Sequence, residues 1–466
     1  MPKQAEWVAD VEFVISECVR IQKITATGKP ADWSKELSKN DMLCHLPRAD
    51  GQGIILCGAK AYFRLKELAT TALRHSDALG TVQPDKVFEA LRDLVSERFI
   101  FGEVLITSQT VEKAMATAVK EAKKGRSNVI HLIPCRLMYA KEPDSFAVGP
   151  VTFKTNAAFK AEMGPHYESY LAAEQVGVGV RDSYYLDEAQ HYYDGFSWIA
   201  RVEVLKCDHT ISKERALLAV TAAVDILHII FGAYYTERMV VAGPRMENDN
   251  RAHMTLSERS GLHVSLSSAA TSAVGFGDGW GVFLKRPDIA FQLQAAARVI
   301  EPIVNPDISR PLGLKIADAA AWFGLAVREE IDASRIVKAI TALERLILTD
   351  EKENLAELIS QRAAAICCDA GHDIKGFDEL AGRLKKAYDL RSRLVHGSLS
   401  PFDPEVRDSV DNCLILCEKV LGSALSFFLF HKLLDTPITN RQLSAGFSEL
   451  VMQIKAKAES TTTRQA

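Results

Sequence analysis

Past Lys285 the chain offers no segment that reads as a β-strand, and this change of pattern limits what it can fold into more than any other feature. Before that point helical and strand periodicities alternate. Residues from about 5 to 125 read mostly as helices, with apolar positions at 3.6-residue spacing in Val8–Ile21, Tyr62–Leu73 and Val87–Leu94, interrupted by a short strand at Gly53–Cys57. From Asn128 strands take over at Val129–Met138, Ala147–Phe153 around Gly149-Pro150, and Ser197–Leu205, followed by a helix Lys213–Ile230. After a polar stretch Pro244–Asn250, His253–Leu256 and Leu262–Leu266 read as a hairpin about the turn residues Ser257–Gly261. Residues 1–285 are thus expected to form an α+β domain.

Beyond it, Pro302, Pro306 and Pro311 punctuate the chain after a helix Ile289–Ile300. Helical periodicity then dominates in Ala317–Val327, Ala333–Leu348, Asn354–Cys368, Phe377–His396 and Pro404 to about Leu434. The last of these carries a clear start signal: Asp403 as N-cap, Pro404 in the first turn and Glu405 at the positive helix end. The expected organisation is a helical region 286–440 with a bundle core at about 325–435, and a polar C-terminal tail 441–466 frayed from Lys455 onward.

With 466 residues, 47% of them hydrophobic and 25% charged, the chain has the makings of a sizeable core, and a formal charge of -4 gives no global attraction to polyanions. Any nucleic-acid contact must therefore be local. Nine scattered cysteines without a leader sequence suggest reduced thiols and a cytoplasmic location. The apolar run Ala216–Gly232 holds Asp225 and His228, which favours a buried helix over a membrane span.

Several chemistries lack their motifs. There is no Gly-x4-Gly-Lys-Ser/Thr and no Gly-x-Ser-x-Gly, and Gly28-Lys29 runs into Pro30. The run Gly275–Gly281 has no strand before it and reads as a loop. Glu188 and His191 make a single Glu-x-x-His where a two-metal site needs more, and Cys207 with His209 lacks further ligands. Cys367, Cys368, Cys413 and Cys417 read as small buried side chains. No metal or cofactor is expected.

One segment breaks a local rule. On a helix, Leu380, Leu384, Ala387, Leu394 and Val395 share a face, and Arg391 falls within it, about 20° from Leu380. A guanidinium there must be paired or face a solvated cleft. His396 follows about 140° round and about 7.5 Å along the axis, just before Gly397, which suits a helix end. Glu344, on the flank of the Ala333–Leu348 helix, is placed to hold Arg391 through a bidentate pair. Two readings stay open at this point. Arg391 and Glu344 can be a buried strut with His396 on the helix dipole, or the arginine and histidine can serve chemistry at the helix end.

The segment Tyr388-Asp-Leu-Arg391-Ser-Arg-Leu-Val-His396-Gly397 resembles the signature of HEPN domains, specifically the ApeA-like group, in which Tyr-x-x-Arg-Ser-x-x-x-His-Gly closes a bundle helix. Ala339-Ile-Thr-Ala-Leu-Glu344-Arg-Leu resembles that group's Ala-Leu-Glu helix, and Ser360-Gln-Arg-Ala-Ala-Ala365 its next one. The three pieces lie in the family's order over about residues 325–435. For residues 1–285 no family is claimed.

The resemblance implies a metal-independent ribonuclease that works as a homodimer, with paired Arg-x4-His motifs across a composite cleft, often in toxin–antitoxin or anti-phage systems. The chemistry suits these residue types. RNA supplies its own nucleophile, the 2′-hydroxyl, and needs a base and a cation for the phosphoryl charge. His396 would act as base or acid, Arg391 would supply the charge, and Glu344 would orient it. Ser392 and Arg393 are expected to touch phosphate, and Arg383, Lys385 and Lys386 extend a local basic footprint, opposed between Arg383 and His396 only by Asp389. Residues 1–285 are expected to gate the enzyme in response to a regulatory protein or phage trigger. The competing expectation is a non-catalytic HEPN module for dimerisation or for binding a nucleotide or protein. A separate enzyme site around Asp225, His228, Glu188 and His191 is a third reading.

Overall fold

A computed structural model describes residues 2–27, 43–47, 53–102, 104–138, 143–174, 181–241, 248–257, 261–270, 280–371 and 373–463. An α+β region precedes an all-helical one, the fold class expected from the sequence. The chain forms two compact units, residues 1–129 with 204–214, and residues 130–203 with 215–466. The change of pattern at Lys285 therefore falls inside the second unit, which contains most of the sheet as well as the bundle.

In the first unit, α1 (Pro2–Thr27), α2 (Ala59–Arg74), α3 (Pro84–Val95) and α4 (Ser108–Lys123) pack around Val14, Leu65, Leu91 and Met115, with the antiparallel pair β1 (Leu43–Pro47) and β2 (Ile54–Gly58) against them. Thr107 caps α4, its hydroxyl accepting the Thr110 N–H while the Thr110 side chain accepts the Thr107 N–H.

A five-stranded sheet of order β4-β5-β6-β3-β7 follows, from β3 (Ser127–Arg136), β4 (Ser145–Val148), β5 (Val151–Thr155), β6 (Trp198–Cys207) and β7 (Val240–Val241). The segment Ala147–Phe153, read from the sequence as one strand, is the hairpin β4-β5. Gly149 turns it at φ +59°, and a Cβ there would lie 2.6 Å from the Ala297 Cα, so both backbone conformation and close approach require glycine. Helices α5 (Asn156–Glu174), α6 (Arg181–Tyr193), α7 (His209–Phe231) and α8 (Ala233–Thr236) interleave with the strands. A second hairpin, β8 (Asn248–Ser257) and β9 (Gly261–Ala270), forms where one is expected, with Leu256 opposite Leu262; residues 258–260 of its turn, most of the preceding polar stretch, Gly28-Lys29 and residues 275–279 of the glycine run lie outside the described residues.

The helical region comprises α9 (Trp280–Leu284), α10 (Pro287–Val304), α11 (Pro311–Val327), α12 (Asp332–Ile347), α13 (Leu355–Asp369), α14 (Phe377–Val395), α15 (Pro404–Phe430) and α16 (Asn440–Thr463). Central α15 is long and apolar enough to span a membrane, but 67% of its apolar window is buried, with Cys417, Val420, Leu425 and Phe428 packed in the bundle. Residues 441–466 were expected as tail; most of them belong to α16, because Leu443, Phe447, Leu450 and Ile454 repeat at helical spacing and bury. Their polar neighbours hid that stripe. Arg362, buried on α13, fastens α16 by donating to Glu351 at 2.7 Å and to the Ser444 hydroxyl at 2.9 Å. Burial acts to raise the Glu351 carboxyl, but hydrogen bonds from Ser444, the Thr349 N–H and Arg362 outweigh it and hold the group well below the usual range.

Candidate functional site

Helix α14 carries the arginine and histidine. It starts with Asp378 and Glu379 in its first turn and ends in a Schellman motif: Ser398 N–H donates to Arg393 O at 2.9 Å, Gly397 N–H to Leu394 O at 3.3 Å, and Gly397 sits at φ +75°. His396 is the C-cap residue, exposed, and its imidazole has no partner among the described residues.

Arg391 reaches from α14 to α12, where its Nη2 donates to Glu344 Oε2 at 2.9 Å; the two side chains are 20% and 16% exposed. The guanidinium carbon also lies 5.9 Å from the centre of the Tyr388 ring. Burial, and then the Glu344 carboxylate, push the Tyr388 phenol up. Arg391 Nε is buried and makes no hydrogen bond. The arrangement leaves a fixed cation with an unused donor one turn and a half before an exposed imidazole.

The surrounding basic residues divide. Arg393 forms a double hydrogen bond with Glu405 of α15, both contacts 2.8 Å, and Lys385 pairs with Glu357 of α13 at 3.0 Å. Arg383 and Lys386 line an open groove between α14 and α15 and have no ion-pair partner among the described residues. The Ser392 side chain is half-buried, and its carbonyl accepts the His396 N–H at 2.9 Å.

A second arginine cluster lies elsewhere in the same unit. Helix α7 ends at Phe231, Gly232 at φ +92° reverses the chain into α8, and Thr236 returns beneath His228. Thr236 donates to Gly232 O at 2.8 Å, so its oxygen accepts from His228 Nδ1, also at 2.8 Å. Arg328, just after α11, donates through one Nη1 to Asp225 Oδ1 at 2.8 Å and to His228 Nε2 at 2.9 Å. The imidazole is consequently neutral with its proton on Nδ1, in keeping with burial and the arginine charge, which hold its pKa well below the ordinary value. Burial also raises the Asp225 carboxyl to about 6, against the pull of Arg328. Gly324 makes room, since a Cβ there would come within 1.9 Å of Asp225 Oδ1. Arg328 was missed from sequence because its partners lie a hundred residues upstream.

Glu188 and His191 are exposed on α6, away from this cluster in sequence; Cys207 ends β6 buried, whereas His209 is exposed at the start of α7. Among the described residues no group of three or more His, Cys, Asp or Glu is arranged to hold a metal ion, and none of the nine cysteines forms a disulfide. Comparison of the chain with protein-family models, with curated proteins and with solved structures returned no match.

Proposed function

We propose that the chain is a metal-independent HEPN-type endoribonuclease that cleaves RNA by transesterification. The supporting observation is the end of α14: Arg391 anchored by Glu344, followed by an unpartnered, exposed His396 at a helix terminus fixed by Gly397. In this reading His396 removes the 2′-hydroxyl proton, the freed oxygen attacks the adjacent phosphorus, and Arg391 stabilises the charge that develops on the phosphoryl oxygens. The bond to the 5′-oxygen breaks, that oxygen takes a proton from the partner copy's catalytic histidine or from solvent, and a 2′,3′-cyclic phosphate remains. A homodimer joins two such helix ends, and the protein works in the cytoplasm as a toxin or anti-phage effector restrained by its α+β region until a regulatory protein or phage trigger arrives.

The test is incubation of wild type, Arg391→Ala and His396→Ala with mixed cellular RNA, with and without EDTA, followed by sequencing of the new ends. Cyclic-phosphate ends that persist in EDTA and vanish in both variants support the reading. Cleavage abolished by EDTA, or unchanged in the variants, rejects it. One observation favours the alternative, a non-catalytic module for dimerisation or for nucleotide or protein binding: Arg391 and Glu344 are mostly buried, as in a strut.

A further inference from the structure

The face of α14 turned toward α15 is different from the one that holds Arg391. Ala387 and Leu390 of α14, with Cys413 and Leu416 of α15, give it a buried apolar floor, and the groove encloses about 420 Å³. Arg383 and Lys386 stand on the α14 wall without ion-pair partners among the described residues, whereas Asn412 on the α15 wall is exposed with its carboxamide unbonded. The Arg393–Glu405 double hydrogen bond joins the α14 and α15 walls as a neutral unit at the end nearer His396. Asp389 also lines the groove, so one net positive charge remains.

These features match a single RNA strand better than a duplex. Two free cations attract phosphates, the apolar floor accepts the face of an unstacked base, and a carboxamide offers a donor and an acceptor to a base edge. A paired helix keeps its bases stacked and cannot lay one in such a groove. From Arg383 to Arg393 the wall runs about 15 Å, ending about 4.5 Å short of His396 along the helix axis.

We infer that the α14–α15 groove binds single-stranded RNA, with phosphates on Arg383 and Lys386 and a base on the apolar floor beside Asn412, and leads the strand to the end of α14. The inference rests on the nuclease reading only for what happens at that end. Binding is measured by fluorescence anisotropy of a labelled single-stranded RNA oligonucleotide with full-length His396→Ala protein. Arg383→Glu with Lys386→Glu should weaken binding by at least ~10-fold and reduce the salt slope by about 1.4, as expected for two lost phosphate contacts. The same oligonucleotide annealed to its complement should bind at least ~10-fold more weakly. Asn412→Leu should reorder the affinities for homopolymeric strands while leaving the salt slope unchanged.

Unchanged affinity in the double variant, equal affinity for the duplex, or no RNA binding at all overturns the inference; an unaltered homopolymer order overturns the base contact. If the double-glutamate variant fails to fold by circular dichroism, Arg383→Gln with Lys386→Gln takes its place. Wild-type cleavage is followed in parallel. Groove-dependent binding without His396-dependent cleavage rejects the nuclease reading alone, and cleavage indifferent to the groove variants rejects the groove alone.

Discussion

The second unit contains two arginine–carboxylate pairs with a histidine nearby, and they differ in what becomes of the histidine. Around Arg328, the imidazole of His228 is fully buried and both its nitrogens are engaged, by Thr236 and by the arginine itself. Around Arg391, the arginine is fixed but His396 stays exposed and unpartnered at the helix end. A saturated histidine whose neutral form is locked is poorly placed to exchange protons with a substrate. An exposed one with no partner among the described residues, five residues beyond an anchored cation on the same helix, keeps that capacity. The difference teaches that an Arg-carboxylate-His grouping is not in itself a site; the free valence of the imidazole decides.

The strongest way to break this contrast is through activity. His396→Ala and Arg391→Ala are each expected to lower RNA cleavage by about 10²–10⁴-fold, the usual contribution of a positioned acid–base group. His228→Ala should change the cleavage rate only as far as it changes the folded fraction, which a thermal melt measures independently. Loss of cleavage in fully folded His228→Ala protein would move the chemistry to the wrong cluster.

Stability should invert the order. Arg328→Met leaves the buried Asp225 carboxylate without its ion-pair partner and His228 Nε2 without its donor, and should cost about 3–5 kcal/mol in denaturant unfolding. Arg391→Met removes one charged hydrogen bond at a partly exposed pair and should cost about 1–3 kcal/mol. If the two costs prove equal, Arg391 is a strut like Arg328, and the non-catalytic reading gains.

These expectations also explain what was legible beforehand. Arg391 announced itself because it interrupts an apolar face within a single helix, and Glu344 because it departs from the charged side of another; both signals are local in sequence. Most helices and the β8-β9 hairpin were legible for the same reason, whereas the β4-β5 hairpin reads in the sequence as one strand because its turn at Gly149-Pro150 leaves only four or five residues on each side. Arg328 sits just past a helix end, where a charged residue breaks no pattern, and its partners are on α7. Periodicity cannot show such a contact. The Arg393–Glu405 and Lys385–Glu357 pairs escaped likewise, since a lysine that is ion-paired and one that is free look the same in a sequence.

The Arg328 cluster should further reveal itself by pH, with two opposing slopes. The folded Asp225 carboxyl, raised to about 6, takes up a proton on acidification before its unfolded counterpart does, so it adds stability that is lost again as pH rises through about 6. His228 acts the other way: its depressed folded pKa means that only the unfolded imidazole gains a proton below about pH 6.5, so stability falls on acidification. Glu329, held to about 2 first by its hydrogen bond from Lys338, keeps its contribution until pH falls below about 4.5. Between pH 6.5 and 4.5 the cluster's slopes therefore largely cancel in wild type. Asp225→Asn removes one of them and should leave a melting temperature that drops with acid, whereas the same acid-dependent drop in both proteins would show that Asp225 does not retain a proton.

The smallest effect expected is at Lys385. Its pair with Glu357 is exposed on both sides, so Lys385→Ala should change stability by less than ~1 kcal/mol. It should also leave RNA affinity nearly untouched, because its charge is already neutralised by Glu357 and it is absent from the groove residues that Lys386 joins. Adjacent lysines on one helix thus make a direct comparison in which only the partner differs. Titration of labelled single-stranded RNA against Lys385→Ala and Lys386→Ala, at one salt concentration and on the His396→Ala background, measures it. A larger loss at Lys385 than at Lys386 would carry the strand across the α13 side of the helix and away from Asn412.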